Sequence, residues 1–187
     1  MVNILRSLLL SLIGLSPFAS ISVIFIVTMI VGVGPDHVIA GYFGEQIINS
    51  QDLAETGDDF EGVAGYLFKF FYELNIALLS LTVVMTLGWS IGSHYLNIDA
   101  PGKAKIYALH WIIFTGIFII IMVGIIFWFT QTSAYRAEQY LSTGGKFQIM
   151  IGSLALYTIM YYVGVLLGTA RFARSSVLLA NKLPGGF

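Results

Sequence analysis

The sequence predicts an all-α integral membrane protein with four transmembrane helices. Of its 187 residues, 57% are apolar and only 10% are charged. Mean hydropathy is +0.86. Four stretches also reach the length of about 20 mostly apolar residues that a bilayer core of roughly 30 Å demands. A water-soluble domain carries about a quarter of its residues charged, so the composition excludes a soluble enzyme, a disordered chain and a basic nucleic-acid binder. With no cysteine in the chain, disulfides, thiolate metal sites and thiol catalysis are excluded too.

The first span is expected at residues 17–33. Ser16-Pro17 reads as a helix start, serine capping and proline taking the first helical position. Residues 3–15 then form a separate short helix along the inner surface, with Ser7 and Ser11 towards water and Leu8, Leu12 and Leu15 towards lipid. One kinked helix over 4–33 is the alternative. The apolar run outlasts the core of a signal peptide, so the segment reads as retained.

The stretch 34–65 is the longest polar one and forms the outer loop. Its apolar pairs Val38-Ile39, Tyr42-Phe43 and Ile47-Ile48 repeat at helical spacing, which suits an amphipathic helix on the membrane face or on an extracytoplasmic partner. The acidic run Asp52, Glu55, Asp58, Asp59, Glu61 lacks the register of a calcium loop. It reads as a solvated segment or a patch for a basic partner.

The second span covers 66–91, the third 107–129 and the fourth 148–170. Trp89, Tyr107 and Trp111 mark one aromatic belt, and Tyr66, Tyr72, Trp128 and Phe147 the other. With both termini inside, Arg6, Lys103, Lys105, Arg171, Arg174 and Lys182 face the cytoplasm, outnumbering Arg136 and Lys146 outside. That asymmetry sets an N-in, C-in topology. No internal repeat or linker divides the chain, so residues 1–187 read as a single four-span domain. Absence of cysteine and of an Asn-x-Ser/Thr sequon, together with compact loops, points to a bacterial inner membrane.

Lipid tails are as apolar as leucine, so helices associate in a membrane through small and polar residues. The fourth span carries Ser153, Tyr157, Tyr161, Gly164 and Gly168 on one stripe, ending in a small-xxx-small pair. The second span has another such pair, Gly88 and Gly92. It also presents Glu73, Ala77 and Ser80 on one side and Asn75, Thr82 and Thr86 on the opposite side. A helix polar on two faces has protein on two sides. The isoleucine-rich third span faces lipid.

The residues that depart furthest from an apolar span are Lys69, Glu73, Asn75 and Ser80. Lys69 and Glu73 lie four apart, the spacing of a helical ion pair, and charge within a span is costly unless it serves contact or transport. His94 and His110 flank the inner loop, where two facing imidazoles would suit haem ligation or a quinone pocket. No nucleophile elbow, phosphate-binding loop or paired catalytic carboxylates occur. The expectation is therefore a non-catalytic subunit of a larger transport, secretion or energy-converting membrane complex, with the second and fourth spans making the contacts to its neighbours. It holds no cofactor or metal, and its partners are lipids and other membrane subunits. One rival is an ion- or proton-conducting oligomer using Glu73. The other is a haem- or quinone-binding anchor using His94 and His110.

Overall fold

A computed structural model describes residues 2–31, 60–95, 104–132 and 141–169 of the chain. Four helices account for nearly all of them: α1 Val2–Val31, α2 Phe60–Tyr95, α3 Ala104–Gln131 and α4 Thr143–Gly168. There is no β-strand among the described residues. All four helices are long and apolar enough to cross a membrane, over Asn3–Ile24, Lys69–Tyr95, Tyr107–Gln131 and Thr143–Gly168. The protein is thus a multi-pass membrane protein of helical class. The expected outer-loop helix, the acidic run up to Asp59 and the basic residues Arg171, Arg174 and Lys182 lie outside the described residues.

The first helix departs from expectation. In place of a short surface helix followed by a span starting at Pro17, α1 is one helix that passes through Pro17. Proline lacks the N–H that would bond the carbonyl four residues back, here that of Ile13. Ser16 supplies the substitute: its Oγ donates to the Ile13 carbonyl at 2.8 Å. Serine hydroxyls commonly repair proline gaps in this way inside membranes. The serine that reads as a cap thus points backwards and keeps the helix running.

The faces of α1 are inverted relative to the expected surface helix as well. Ser7 and Ser11 are buried, while Leu5, Leu9, Leu12 and Ile13 are exposed. In water the polar face of a helix turns outward; in lipid the apolar face does, and the hydroxyls turn towards protein.

The other helices begin and end where the local chemistry dictates. Asn97, Pro101 and Gly102 separate α2 from α3. The Oγ of Ser142 accepts from the Gly145 N–H at 2.9 Å, an N-cap that starts α4 several residues before the expected position 148. The last turn of α3 is closed by Thr132, whose Oγ1 donates to the Trp128 carbonyl at 2.7 Å. Thr169 does the same for the Val165 carbonyl at the end of α4.

Two compact units can be distinguished, each drawing on all four helices. One comprises Met1–Phe18, Ser80–Ile121 and Leu156–Phe187. Its core holds Leu15, Trp89, Trp111, Phe118, Met160, Tyr161 and Val165. The Phe118 ring stacks on Tyr161 at 4.6 Å and Trp89 tilts against Phe114 at 5.5 Å. The other comprises Ala19–Leu79 and Met122–Ala155, with Phe70, Phe71, Leu74, Leu78, Met122, Ile126 and Phe129 buried. There Phe70 meets Phe71 and Phe129 edge-on, at 5.1 and 6.3 Å.

Candidate helix-packing interface

The small and hydroxyl-bearing residues of α1, α2 and α4 meet in the first unit. Along α2, Thr82, Thr86, Ser90 and His94 recur every four residues and so share one face. The three hydroxyl residues are fully buried. Along α1, Ser7, Ser11 and Gly14 make a matching stripe, spaced four and three. The two stripes run antiparallel. Ser7 Oγ lies 2.7 Å from His94 Nε2, and Ser11 Oγ lies 2.5 Å from Ser90 Oγ. Ser11 also donates to the Gly164 carbonyl at 3.2 Å, which ties both helices to α4. Ser90 donates to the Thr86 carbonyl within its own helix, at 2.9 Å.

Glycine makes this approach possible. A Cβ on Gly164 would stand 2.7 Å from Thr86 Cγ2 and 2.9 Å from Leu15 Cδ2. One on Gly168 would fall on Ser11 Oγ and within 2.5 Å of Ser90 Oγ. On α1, a Cβ on Gly14 would lie 3.2 Å from the Gly164 Cα, so two glycines meet nearly backbone to backbone. The small-xxx-small pair of α4, expected to meet neighbouring subunits, is instead covered by α1 and α2 of the same chain, because Ser11, Leu15, Thr86 and Ser90 already fill the space above it. Close packing of this kind gains dispersion contact and encloses hydroxyls that would otherwise face hydrocarbon.

The tyrosines of α4 complete the first unit. Tyr157 and Tyr161 are buried, and the Tyr161 hydroxyl is 3.3 Å from Thr115 Oγ1 of α3. Ser153, further along the expected stripe, is half-buried. Beside Tyr161, a groove of ≈ 370 Å³ is lined by Trp111, Thr115, Thr158, Ile159, Tyr161 and Tyr162. Rings and methyl groups make up most of the wall, a surface fit for lipid tails.

The second glycine pair has different surroundings. Gly88 meets only Phe114 Cζ, at 3.8 Å from where its Cβ would be, and around Gly92 nothing comes within 4 Å among the described residues. Gly88 is exposed. It belongs to an outward stripe of α2 that contains Glu73, Ala77, Ser80, Val84, Gly88, Ile91 and Tyr95, spaced by three and four residues. Ser80, Val84, Ile91 and Tyr95 are exposed, and Glu73 and Ala77 are half-buried. Lys69, one turn before Glu73, is exposed. On the opposite face, Asn75 Nδ2 donates to the Ser22 carbonyl at 3.3 Å. The two polar faces of α2 thus differ: one is tightly packed within the first unit, and the other is largely exposed among the described residues.

No protein-family model, curated protein or solved structure matches this chain. The Nε2 of His94 is engaged by Ser7, and His110 is exposed, so haem ligation by this pair would first require breaking the Ser7 contact. No cluster of three or more potential metal-ligating side chains occurs among the described residues. Ser7, Ser11, Gly14 and Ser90 were not anticipated as packing residues. The signal for Ser7, Ser11 and Gly14 is their four-and-three spacing, which a surface helix over 3–15 would turn towards water, and that for Ser90 is its place four residues after Thr86 on the Thr82 face.

Proposed function

We propose that the protein is a non-catalytic small subunit of a larger membrane complex, a transport, secretion or energy-converting machine, and that it contributes helix–helix contacts through the outward face of α2. The supporting observation is the contrast between the two glycine pairs. A Cβ on Gly164 or Gly168 would collide with α1 and α2, whereas one on Gly88 would make a single ordinary contact with Phe114 and one on Gly92 would meet nothing among the described residues. A second observation points the same way. Glu73 lies within the Lys69–Tyr95 span on that outward stripe, and a carboxylate within a span is normally placed against protein or water rather than acyl chains.

In this reading the N- and C-termini lie in the cytoplasm, the segment 34–65 faces an extracytoplasmic partner, and the host membrane is a bacterial inner membrane. The α1 and α4 stripes hold the subunit together, and α2 presents it to its neighbours. Extraction in mild detergent followed by mass spectrometry of the eluate tests the reading. Defined partner proteins should co-elute in constant proportion. Elution of this chain alone, as a stable and functional species, would refute it.

A further inference from the structure

We propose that the groove between α3 and α4 in the first unit binds a lipid-soluble quinone, its ring against Trp111 and Tyr162 and a ring carbonyl on the hydroxyls of Thr115 and Thr158. The site is independent of the assembly role of α2, and neither His94 nor His110 lines it. All of its walls belong to membrane spans, so its occupant comes from the lipid phase. A volume of ≈ 370 Å³ falls within the range of small-molecule sites, about 300–1,000 Å³.

The hydroxyls and their depth select the ligand. Tyr161 is fully buried and shares its hydroxyl with the half-buried Thr115. With Tyr161 as donor, Thr115 keeps its own hydrogen for a ligand. Thr158 is half-buried and makes no side-chain hydrogen bond to any described residue. A hydroxyl left unbonded in hydrocarbon is costly, so both donors call for an acceptor. Thr115 lies eight residues from Tyr107 and Thr158 ten from Gly168, about 12 and 15 Å of helical rise inside those ends. That is well within a hydrocarbon layer about 30 Å thick. Phospholipid ester carbonyls stay at the edge of this layer, and acyl chains carry no acceptor. A quinone brings carbonyl oxygens to that depth on a flat ring with an apolar tail. Its electron-poor ring suits the electron-rich faces of Trp111 and Tyr162, whose rings lie 6.3 Å apart along the same wall. The exposed Ile159 offers the tail an apolar contact.

Binding is read from tryptophan fluorescence, which a quinone ring quenches on contact. The full-length protein in phosphatidylcholine nanodiscs is titrated with a benzoquinone and with a naphthoquinone, each carrying a two-isoprene tail. At least one of them should quench saturably, and the one that binds more tightly identifies the ring. Thr115→Val/Thr158→Val keeps the shape of the groove and removes both donors, so half-saturation should need about tenfold more quinone. Thr158→Ser, which keeps the hydroxyl, should bind as the parent does, and so should Ile120→Phe on the lipid-exposed side of α3. Ile159→Phe, which narrows the groove, should weaken binding. Saturable quenching by neither quinone would overturn the proposal. So would a double valine variant that binds as tightly as the parent, or a Thr158→Ser variant that binds as weakly as Thr158→Val.

Discussion

At Gly168 the place of a methyl group is already taken by two serine hydroxyls, and at Gly164 by a threonine methyl and a leucine. Ser11, Ser90, Thr86 and Leu15 would have to shift to admit the methyl groups. Overpacking of this order costs about 1–3 kcal/mol. Gly164→Ala and Gly168→Ala should each lower stability by about that amount in a detergent unfolding assay, Gly168→Ala more. Gly92→Ala, with nothing within 4 Å among the described residues, should leave the unfolding midpoint within about 0.5 kcal/mol of the parent. Equal losses at Gly92 and Gly168 would contradict the distinction between a filled and an open face. Sequence spacing identified both glycine pairs, but nothing in the spacing distinguishes them. Which pair is covered depends on Ser11 and Leu15, more than 140 positions away from Gly164 and Gly168 in the chain.

Among the elements, α1 carries most information about how the chain is read. Its length and apolarity are plain in the sequence, and so is Pro17. The consequence of Pro17 is not, because Ser16-Pro17 is chemically equivalent as a helix start and as a repaired helix interior. What decides is whether the Ser16 hydroxyl turns forward to cap or back to Ile13, and it turns back. If that hydroxyl replaces the missing N–H, Ser16→Ala leaves the Ile13 carbonyl without its partner and should cost about 1–3 kcal/mol. Ser16→Ala/Pro17→Ala restores the backbone N–H and should recover most of the loss. A double variant as unstable as the single one would show that Ser16 acts otherwise. Spans two to four were legible because their apolar runs are long and nearly uncharged. Their ends moved by a few residues through caps such as Ser142.

For the whole molecule, the sequence yields membrane insertion and the number of crossings, both of which follow from bulk apolarity. The inward face of each helix is harder to read. In water the hydrophobic pattern marks the core, but in lipid both faces are apolar and only small and hydroxyl-bearing residues discriminate. On α2 these occur on two faces, so the residues Thr82, Thr86 and Ser90 that this chain buries and the residues Ser80 and Gly88 that it exposes look alike in sequence. The proposed orientation is open to a simple check. A green fluorescent protein joined after Phe187 should fluoresce, and an alkaline phosphatase joined there should be inactive. The reverse pattern would place the C-terminus outside and move the basic residues of the inner loop with it.

Leucine placed separately at the two glycine pairs tests the division of labour between them most directly. Gly168→Leu and Gly88→Leu are each scored for unfolding midpoint in detergent and for co-purification with membrane partners. Gly168→Leu should lose stability, because its side chain meets Ser11 and Ser90. Gly88→Leu, whose Cβ would make one ordinary contact with Phe114, should lose far less stability than Gly168→Leu and lose the partners. A Gly88→Leu protein that retains every partner would contradict the claim that this face of α2 is made for assembly.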